Sequence, residues 1–334
     1  VERSRGLGDV YKRQDFDIEQ FAYIELPLWL TYQRGGGRTI KTAARMILRK
    51  SIKEPIFNFF IQKRKDMILD YCNAGANGAA MRILPIALIN SYNGKAEKLL
   101  KDCWYNSLVT HGHPRAILGS IIYAFLIRKL IKGEFESPDE LRNYLLAVIR
   151  RAGMYLRSDS KLIRWKAIWN QRNYNKLDFD SEFVKTQKEA NNYLTKLFEM
   201  LNDPPRVFYE KVGALGEFKG SGLSTVLVAF YLFLKYLDNP QEGLIESVNM
   251  IGSDTDTISY FLGGLFGSFY GTKVIEKKYL KSLQDKDYIS KIAKQLANIA
   301  IGNISKTEID VMGIDLKAAI NLIKSWEIEM RDLF

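Results

Sequence analysis

Oxygen-bearing side chains follow one another in the segment Ser253–Thr257, whose sequence is SDTDT. Asp254 and Asp256 offer two carboxylates, and Thr257 adds a hydroxyl at the start of a long apolar stretch. One such side chain is enough to cap a helix by accepting its first free N–H groups, which is the simplest interpretation. A cluster of oxygen donors also suits a hard cation such as Mg²⁺ or Mn²⁺. The pattern alone leaves both interpretations open.

A second motif combines small residues with polar ones. Ala74-Gly75-Ala76 is followed by NGAAMR at Asn77–Arg82. Small residues allow backbone N–H groups to approach a ligand closely, as phosphate-binding loops require. The pair Asn77-Gly78 is also a common turn signal, so a plain turn before a helix would explain the same residues.

Both histidines of the chain lie in a third motif, THGHP at Thr110–Pro114. His111 and His113 are two residues apart, which is not the HExxH spacing of a zinc protease. A single histidine at a helix end is commonly structural. The presence of both at one helix junction also suits a binding site, and the sequence does not decide between the two.

The elements that must position these motifs have the apolar spacing of helices. Gly263, Gly267 and Gly271 recur every four residues after SDTDT, which predicts the close approach of another helix and a central place for this one. No strand with period-two alternation is evident. The sequence therefore predicts an all-α fold in one compact multi-helix domain. The expected helices are 18–30, 39–50, 94–109, 117–131, 138–153, 187–201, 223–237, 243–250, 257–270, 288–301 and 316–330.

The composition excludes several classes of protein. The 334 residues are 47% hydrophobic and include two cysteines, which indicates a globular protein without a disulfide scaffold or a four-thiolate zinc site. No apolar run reaches the roughly 20 residues of a membrane span. Without a visible signal peptide, the expected compartment is the cytoplasm, with no membrane partner.

The net charge of +11 is compatible with a nucleic-acid partner, although a solvated basic surface is the commoner explanation and is favoured here. Basic residues alternate with aromatic ones in Tyr155–Lys185, where Trp165 and Trp169 could form a stacking platform for a nucleotide or single strand. The alternative is a surface helix whose tryptophans pack against the domain while its basic groups stay in water.

The first fourteen residues differ from the rest of the chain. Val1–Gln14 has neither helical nor strand periodicity and is predicted to be a non-native or disordered appendage. Residues 15–334 are expected to form the helical domain.

NGAAMR, THGHP and GSDTDTISYFLGGLFGSFYG, in this order, resemble the motifs of the ADP-ribosylglycohydrolase family. The Gly-rich turn GGGRT at 35–39 also fits, and the resemblance covers roughly residues 15–270. It implies an all-α fold with a two-metal cleft. The implied reaction is hydrolysis of the bond between ADP-ribose and a modified protein, nucleic acid or small molecule.

The resemblance also implies roles for individual residues. It places two divalent cations, Mg²⁺ or Mn²⁺, on the metal ligands Asp254, Asp256 and Thr257. It implies substrate binding by Ala74, Gly75, Ala76, Asn77, Gly78 and His111. Gly252-Ser253 departs from the family's usual Gly-Gly before the first aspartate, a small change that a turn should accommodate.

A larger departure is that the chain contains no Asp-Asp pair, whereas the family has an early Thr/Ser-Asp-Asp-Thr motif. Residues 15–18 resemble the segment just after that motif. We therefore expect an N-terminally truncated member whose catalytic acidic residues are unknown. The 334-residue chain is expected to be inactive as a hydrolase. The alternatives are a non-catalytic ADP-ribose-binding relative and a basic nucleic-acid-binding module.

Overall fold

The computed structural model describes residues 16–31, 37–50, 52–64, 67–92, 94–274, 276–303, 320–326 and 328. Most of these residues are helical, so the prediction of an all-α fold is confirmed. The predicted appendage Val1–Gln14 lies outside the described residues, as do Gly35 and Gly36 of the Gly-rich turn.

Most predicted helices are present with ends shifted by a few residues, but the one predicted at 187–201 begins at Phe179, and helices at Pro205–Lys211 and Lys277–Lys281 were not predicted. The helix predicted at 316–330 lies partly outside the described residues. The chain begins with α1 (Ile18–Gln20), a π-helical turn (Phe21–Glu25) and α2 (Leu26–Leu28), which continues into a 3₁₀ turn. The helices that follow are α3 (Arg38–Lys50), α4 (Gly78–Met81), α5 (Leu84–Tyr92), α6 (Ala96–Leu108), α7 (Pro114–Ile131), α8 (Pro138–Ser158), α9 (Ser160–Arg172), α10 (Phe179–Glu199), α11 (Pro205–Lys211), α12 (Gly222–Lys235), α13 (Pro240–Asn249), α14 (Thr255–Tyr270), α15 (Lys277–Lys281) and α16 (Lys286–Ala300), with a further helical segment at 320–326.

A short hairpin interrupts the helices. Strands β1 (Ile61–Arg64) and β2 (Met67–Asp70) pair antiparallel, with Ile61 opposite Asp70. The sequence analysis did not find this hairpin because each strand has only four residues, too few for an alternating pattern to stand out. β2 leads through a 3₁₀ turn at Tyr71–Asn73 into the loop before α4, the helix that contains most of the NGAAMR motif.

The centre of the molecule is the crossing of α7 and α12. Every residue of α7 except Arg115 and Ile131 is buried, and every residue of α12 except Lys235. Helices that are apolar on all sides belong in a core. They meet without side chains between them, because a Cβ on Gly119 would lie 2.3 Å from the Gly222 carbonyl oxygen. This crossing places the start of α7, which follows THGHP, beside the start of α12.

The prediction about the glycine row of α14 is wrong for the described residues. A Cβ on Gly263, Gly267 or Gly271 would meet none of their atoms within 4 Å. The glycine that makes a close contact is Gly264, where a Cβ would lie 2.1 Å from Tyr123 Oη on α7. Helix α14 is nevertheless part of the core through a different face, whose buried residues are Ile258, Phe261, Leu262, Leu265 and Phe266.

The tryptophans of α9 are fully buried, so they cannot form the stacking platform considered from the sequence. Trp165 donates its indole N–H to Tyr71 Oη at 3.1 Å, and Trp169 donates to the Gly112 carbonyl oxygen at 3.0 Å. The alternative interpretation, a surface helix with packed tryptophans, is the one observed. Within the described ranges, no helix is long and apolar enough to cross a membrane.

Helix α8 continues to Ser158, whereas the sequence analysis ended it near Gly153. Gly153 is a packing position, since a Cβ there would lie 3.1 Å from the Gln187 amide nitrogen on α10. The glycine that signalled a helix end therefore serves the contact between two helices.

Candidate functional site

The segment Ala74–Gly78, hereafter the NGAAMR loop, leads into α4 and is joined to the loop before α12 by two backbone hydrogen bonds. Asn77 donates its N–H to the Gly220 carbonyl oxygen at 2.8 Å, and Gly222 donates to the Gly75 carbonyl oxygen at 2.9 Å. Gly220 has a φ of +72°, a conformation that favours glycine. These bonds fix the backbone around Ala76, which is exposed, and leave small side chains on this surface.

The same loop reaches the SDTDT motif through one side chain. Asn77 donates its amide N–H to Asp254 Oδ2 at 2.6 Å and makes a longer bond to Thr225 Oγ1 at 3.3 Å. Asn77 and Asp254 are 177 residues apart in the sequence. The fold therefore brings the small-residue motif and the acidic motif together.

The turn before α14 shows that the first aspartate is not a helix cap. Gly252 has a φ of +101°, and Ser253 donates its hydroxyl to the Met250 carbonyl oxygen at 2.8 Å. Asp254 occupies the N-cap position, but its side chain accepts no N–H from the helix. The simplest interpretation from the sequence, that this carboxylate caps the helix, does not hold. The serine in place of the family's second glycine fits the turn, as expected.

The two carboxylates are close enough to influence each other. Burial and the neighbouring Asp256 carboxyl raise the pKa of Asp254, while the Asn77 amide acts in the opposite direction. Asp256 is exposed and accepts the Thr257 N–H at 2.9 Å. Two carboxylates and the buried Thr257 hydroxyl give a donor set of the type that Mg²⁺ or Mn²⁺ accepts. Within the described ranges, no group of three or more His, Cys, Asp or Glu side chains could hold a metal ion.

The histidines of THGHP lie on the other side of the NGAAMR loop. His111 is 1% exposed, and a Cβ on Gly78 would lie 3.0 Å from its Cε1 atom. His113 caps α7 by accepting the Arg115 N–H at its Nδ1 atom, 3.1 Å away. A Cβ on Gly75 would lie 3.2 Å from that same Nδ1 atom. Glycines in the loop thus make room for both imidazole rings.

Both histidines are neutral at neutral pH. Burial, with the nearby charge of Arg82, lowers the pKa of His111 well below its ordinary value of 6.5. Burial, followed by the charges of Arg115 and Lys185, lowers the pKa of His113 to about 4. A neutral imidazole donates at one nitrogen and accepts at the other, so each ring can recognise a ligand in a directed way.

Arg82, the last residue of NGAAMR, connects the loop to THGHP. Its guanidinium donates to the Gly78 carbonyl oxygen at 2.9 Å and to Thr110 Oγ1 at 2.7 Å. It also donates to Asn106 twice, to the side-chain oxygen at 2.9 Å and to the carbonyl oxygen at 2.7 Å. Burial lowers the pKa of Arg82 to about 9, so it remains charged at neutral pH.

The sequence profile of the ADP-ribosylglycohydrolase family matches residues 6–305 of the 334-residue chain. The chain belongs to this family.

Two proteins with similar sequences are ADP-ribosylhydrolase ARH3 from Bos taurus and from Homo sapiens. They are 23% and 24% identical to the chain over 233 residues, which is 67% of the chain in each case. The alignments span 57% and 58% of the two relatives, so the chain matches little more than half of their length. A solved structure described as an ADP-ribosylglycohydrolase-related protein complex has a TM-score of 0.52 at 18% identity. The match covers 85% of this chain and 75% of the chain in the solved structure, and it supports the fold.

In this member of the ADP-ribosylglycohydrolase family, the candidate residues of the three motifs are neighbours. The candidate binding residues Ala74–Gly78 lie between the candidate metal ligands on one side and His111 on the other. The sequence analysis named His113 and Arg82 within their motifs but did not assign them to substrate binding, although His113 contacts this loop and Arg82 donates to one of its carbonyl groups. Their membership of the same short motifs was the only sequence signal for them.

Proposed function

We propose that this protein binds ADP-ribose at the NGAAMR loop and hydrolyses its bond to an acceptor with the help of divalent cations. The single observation that carries the proposal is the Asn77–Asp254 hydrogen bond, which joins the NGAAMR loop to the candidate metal ligands. Family membership and the name of the ARH3 relatives, ADP-ribosylhydrolase, support the reaction class.

The candidate binding surface suits a large anionic ligand. Ala74, Gly75 and Ala76 have small side chains, so a diphosphate can approach their backbone closely. The neutral His111 and His113 border the same loop. The charged Arg82 lies behind it and contributes a positive potential without occupying the loop surface.

The candidate metal ligands are Asp254, Asp256 and Thr257. A bound Mg²⁺ or Mn²⁺ would supply a Lewis acid that fixes ribose hydroxyls and polarises a water molecule. Asn77 orients the Asp254 carboxylate by donating to its Oδ2 atom, which leaves the other oxygen for a cation. The raised pKa of Asp254 reflects burial and the neighbouring Asp256 carboxyl, and a bound cation would favour the charged form of Asp254.

Calorimetric titration with ADP-ribose, with Mn²⁺ and with Mg²⁺ tests this proposal. Asn77→Ala should weaken binding of both the ligand and the cation, because one side chain serves both motifs. The matched control is Asn191→Ala on the exposed surface of α10, which should change neither affinity. If Asn77→Ala binds ADP-ribose and Mn²⁺ like the unchanged protein, the two motifs do not form one site.

A non-catalytic ADP-ribose-binding protein is the second candidate. It is favoured by the small number of carboxylates, since Asp254 and Asp256 form no larger acidic cluster within the described ranges. Release of ADP-ribose from a modified protein, an oligonucleotide and a small-molecule conjugate separates the two candidates. Metal-dependent release supports the hydrolase and names its acceptor, whereas binding without release supports the second candidate.

A further inference from the structure

A chain of hydrogen bonds links Arg82, Thr110 and His111 behind the NGAAMR loop. We propose that Arg82 and Thr110 are positioning residues that hold His111 in the tautomer with its proton on Nε2, as a donor to an oxygen of the bound ligand. The role of the donor rests on the proposed function, whereas the choice of tautomer does not.

Arg82 fixes the direction of the chain because a guanidinium only donates hydrogen bonds. One of its terminal nitrogens lies 2.7 Å from Thr110 Oγ1 and 2.7 Å from the Asn106 carbonyl oxygen. The bonds to Asn106 and Gly78 hold the guanidinium in place. Thr110 Oγ1 therefore accepts a proton from Arg82 through one of its lone pairs.

Thr110 still has its own hydroxyl proton to donate. Its Oγ1 atom lies 2.7 Å from His111 Nδ1, and both residues are buried. Among the described residues, Thr110 Oγ1 makes no hydrogen bond to another acceptor. Because an unpaired hydroxyl proton in the core is costly, Thr110 donates to Nδ1, which must then be unprotonated. The proton of the neutral His111 ring is consequently on Nε2.

The Nε2 atom lies beside Gly78, the last residue of the NGAAMR loop. It lies 3.2 Å from the position that a Cβ on Gly78 would take, and it makes no hydrogen bond to any described residue. A ligand oxygen would provide the missing acceptor. Arg82 forms no ion pair with a described carboxylate, so its charge favours an anionic acceptor. A phosphate oxygen of ADP-ribose is both a hydrogen-bond acceptor and negatively charged.

The test uses the matched variants Thr110→Val, which removes the hydroxyl at constant volume, and Thr110→Ser, which retains it. Nitrogen-15 NMR of the imidazole rings identifies each tautomer, and the chain has only two histidines to assign. His113 is an internal control, because its Nδ1 accepts from the Arg115 backbone and does not depend on Thr110. Thr195→Val, an exposed site on α10, controls for the substitution itself.

In the unchanged protein, His111 should be protonated on Nε2 alone. Thr110→Val should lose this preference and bind ADP-ribose about tenfold more weakly, the effect of one hydrogen bond. Affinity for adenosine, which lacks phosphates, should change much less. Thr110→Ser should retain both the tautomer and most of the affinity for ADP-ribose.

A His111 ring protonated on Nδ1 in the unchanged protein would overturn the proposal, as would a Thr110→Val protein with the same tautomer and the same ADP-ribose affinity. Equal losses for adenosine and ADP-ribose would overturn the donor role toward phosphate. If the unchanged protein has the expected tautomer but binds no ADP-ribose, the hydrogen-bond chain stands and the proposed function fails.

Discussion

The two sides of the candidate site are built in different ways. On the histidine side, Thr110 and His111 are buried and linked to Arg82 by hydrogen bonds. On the carboxylate side, Asp256 is exposed, and burial and this neighbour raise the pKa of Asp254. The carboxylate side continues into the glycine row of α14, where an added Cβ would meet no described atom within 4 Å.

This difference indicates what each side requires. The histidine side is fixed by folding itself, because Arg82, Thr110 and the Nδ1 atom of His111 find partners within the protein. On the carboxylate side, burial and the neighbouring Asp256 carboxyl disfavour the charged form of Asp254, which a bound cation would favour. Substitutions on the histidine side should therefore reduce the free energy of unfolding, and those on the carboxylate side should reduce metal affinity.

The largest effect is expected for Gly112→Ala, between the two histidines. A Cβ there would lie 2.4 Å from Tyr71 Cε1 and 2.9 Å from the Tyr71 carbonyl oxygen. The Tyr71 ring cannot move away easily, since its hydroxyl donates to the Leu108 carbonyl oxygen at 2.7 Å. We expect the free energy of unfolding to fall by roughly 3 kcal/mol, measured by urea denaturation.

The control for Gly112→Ala is Gly216→Ala, where a Cβ would meet no described atom within 4 Å. This variant should denature at nearly the same urea concentration as the unchanged protein. Equal stability of Gly112→Ala would show that the histidine side is not tightly constrained, and the contrast between the two sides would disappear.

The next largest effect concerns the carboxylate side. Asp256→Asn should lower the affinity for Mn²⁺ by about 100-fold, measured by calorimetry, because the cation loses a charged ligand. The free energy of unfolding should not fall, since Asp256 is exposed and an asparagine oxygen can still accept the Thr257 N–H. Asp238→Asn, also exposed, is the control. Unchanged Mn²⁺ affinity in Asp256→Asn would remove this residue from the metal site.

The sequence predicted α7 and α12 well, because both have apolar residues on all faces and clear ends, whereas it missed the first eight residues of α10 and the last five of α8. It also identified the three motifs, yet it could not show their contacts. Asn77 and Asp254 are far apart in the chain, and the packing of α14 against α7 and α12 brings their loops together.

Two further features show the limits of spacing as a signal. The glycine row of α14 has regular spacing, but spacing does not show which face of a helix meets a neighbour. The close contact is made by Gly264, which lies outside the row. Arg82 could equally have been a solvated surface residue, and its role depends on Thr110, 28 residues later.

Stability should depend on pH through His113. The His113 ring binds a proton near pH 6.5 in the unfolded chain and near pH 4 in the folded protein. The contribution of the neutral ring to the free energy of unfolding is therefore complete above pH 6.5 and is lost as the pH falls toward 4. Between pH 7 and 5, the loss should be about 2 kcal/mol.

His113→Asn isolates this contribution because asparagine can still cap α7 but does not titrate. Urea denaturation at pH 7 and at pH 5 should show a smaller loss of stability in this variant, and the difference from the unchanged protein should be about 2 kcal/mol. Identical pH dependence in both proteins would mean that His113 is protonated in the folded state as readily as in the unfolded one.

The smallest expected effect lies on the open face of α14. Gly267→Ala should raise the free energy of unfolding by about 0.5–1 kcal/mol, because alanine favours the helix and its methyl meets no described atom within 4 Å. Gly264→Ala, three residues earlier, should lower it, because its methyl would collide with Tyr123 Oη. Urea denaturation measures both. A loss of stability in Gly267→Ala would show that the glycine row is covered by a closely packed neighbour, as its spacing suggests. The carboxylate side would then be as tightly built as the histidine side.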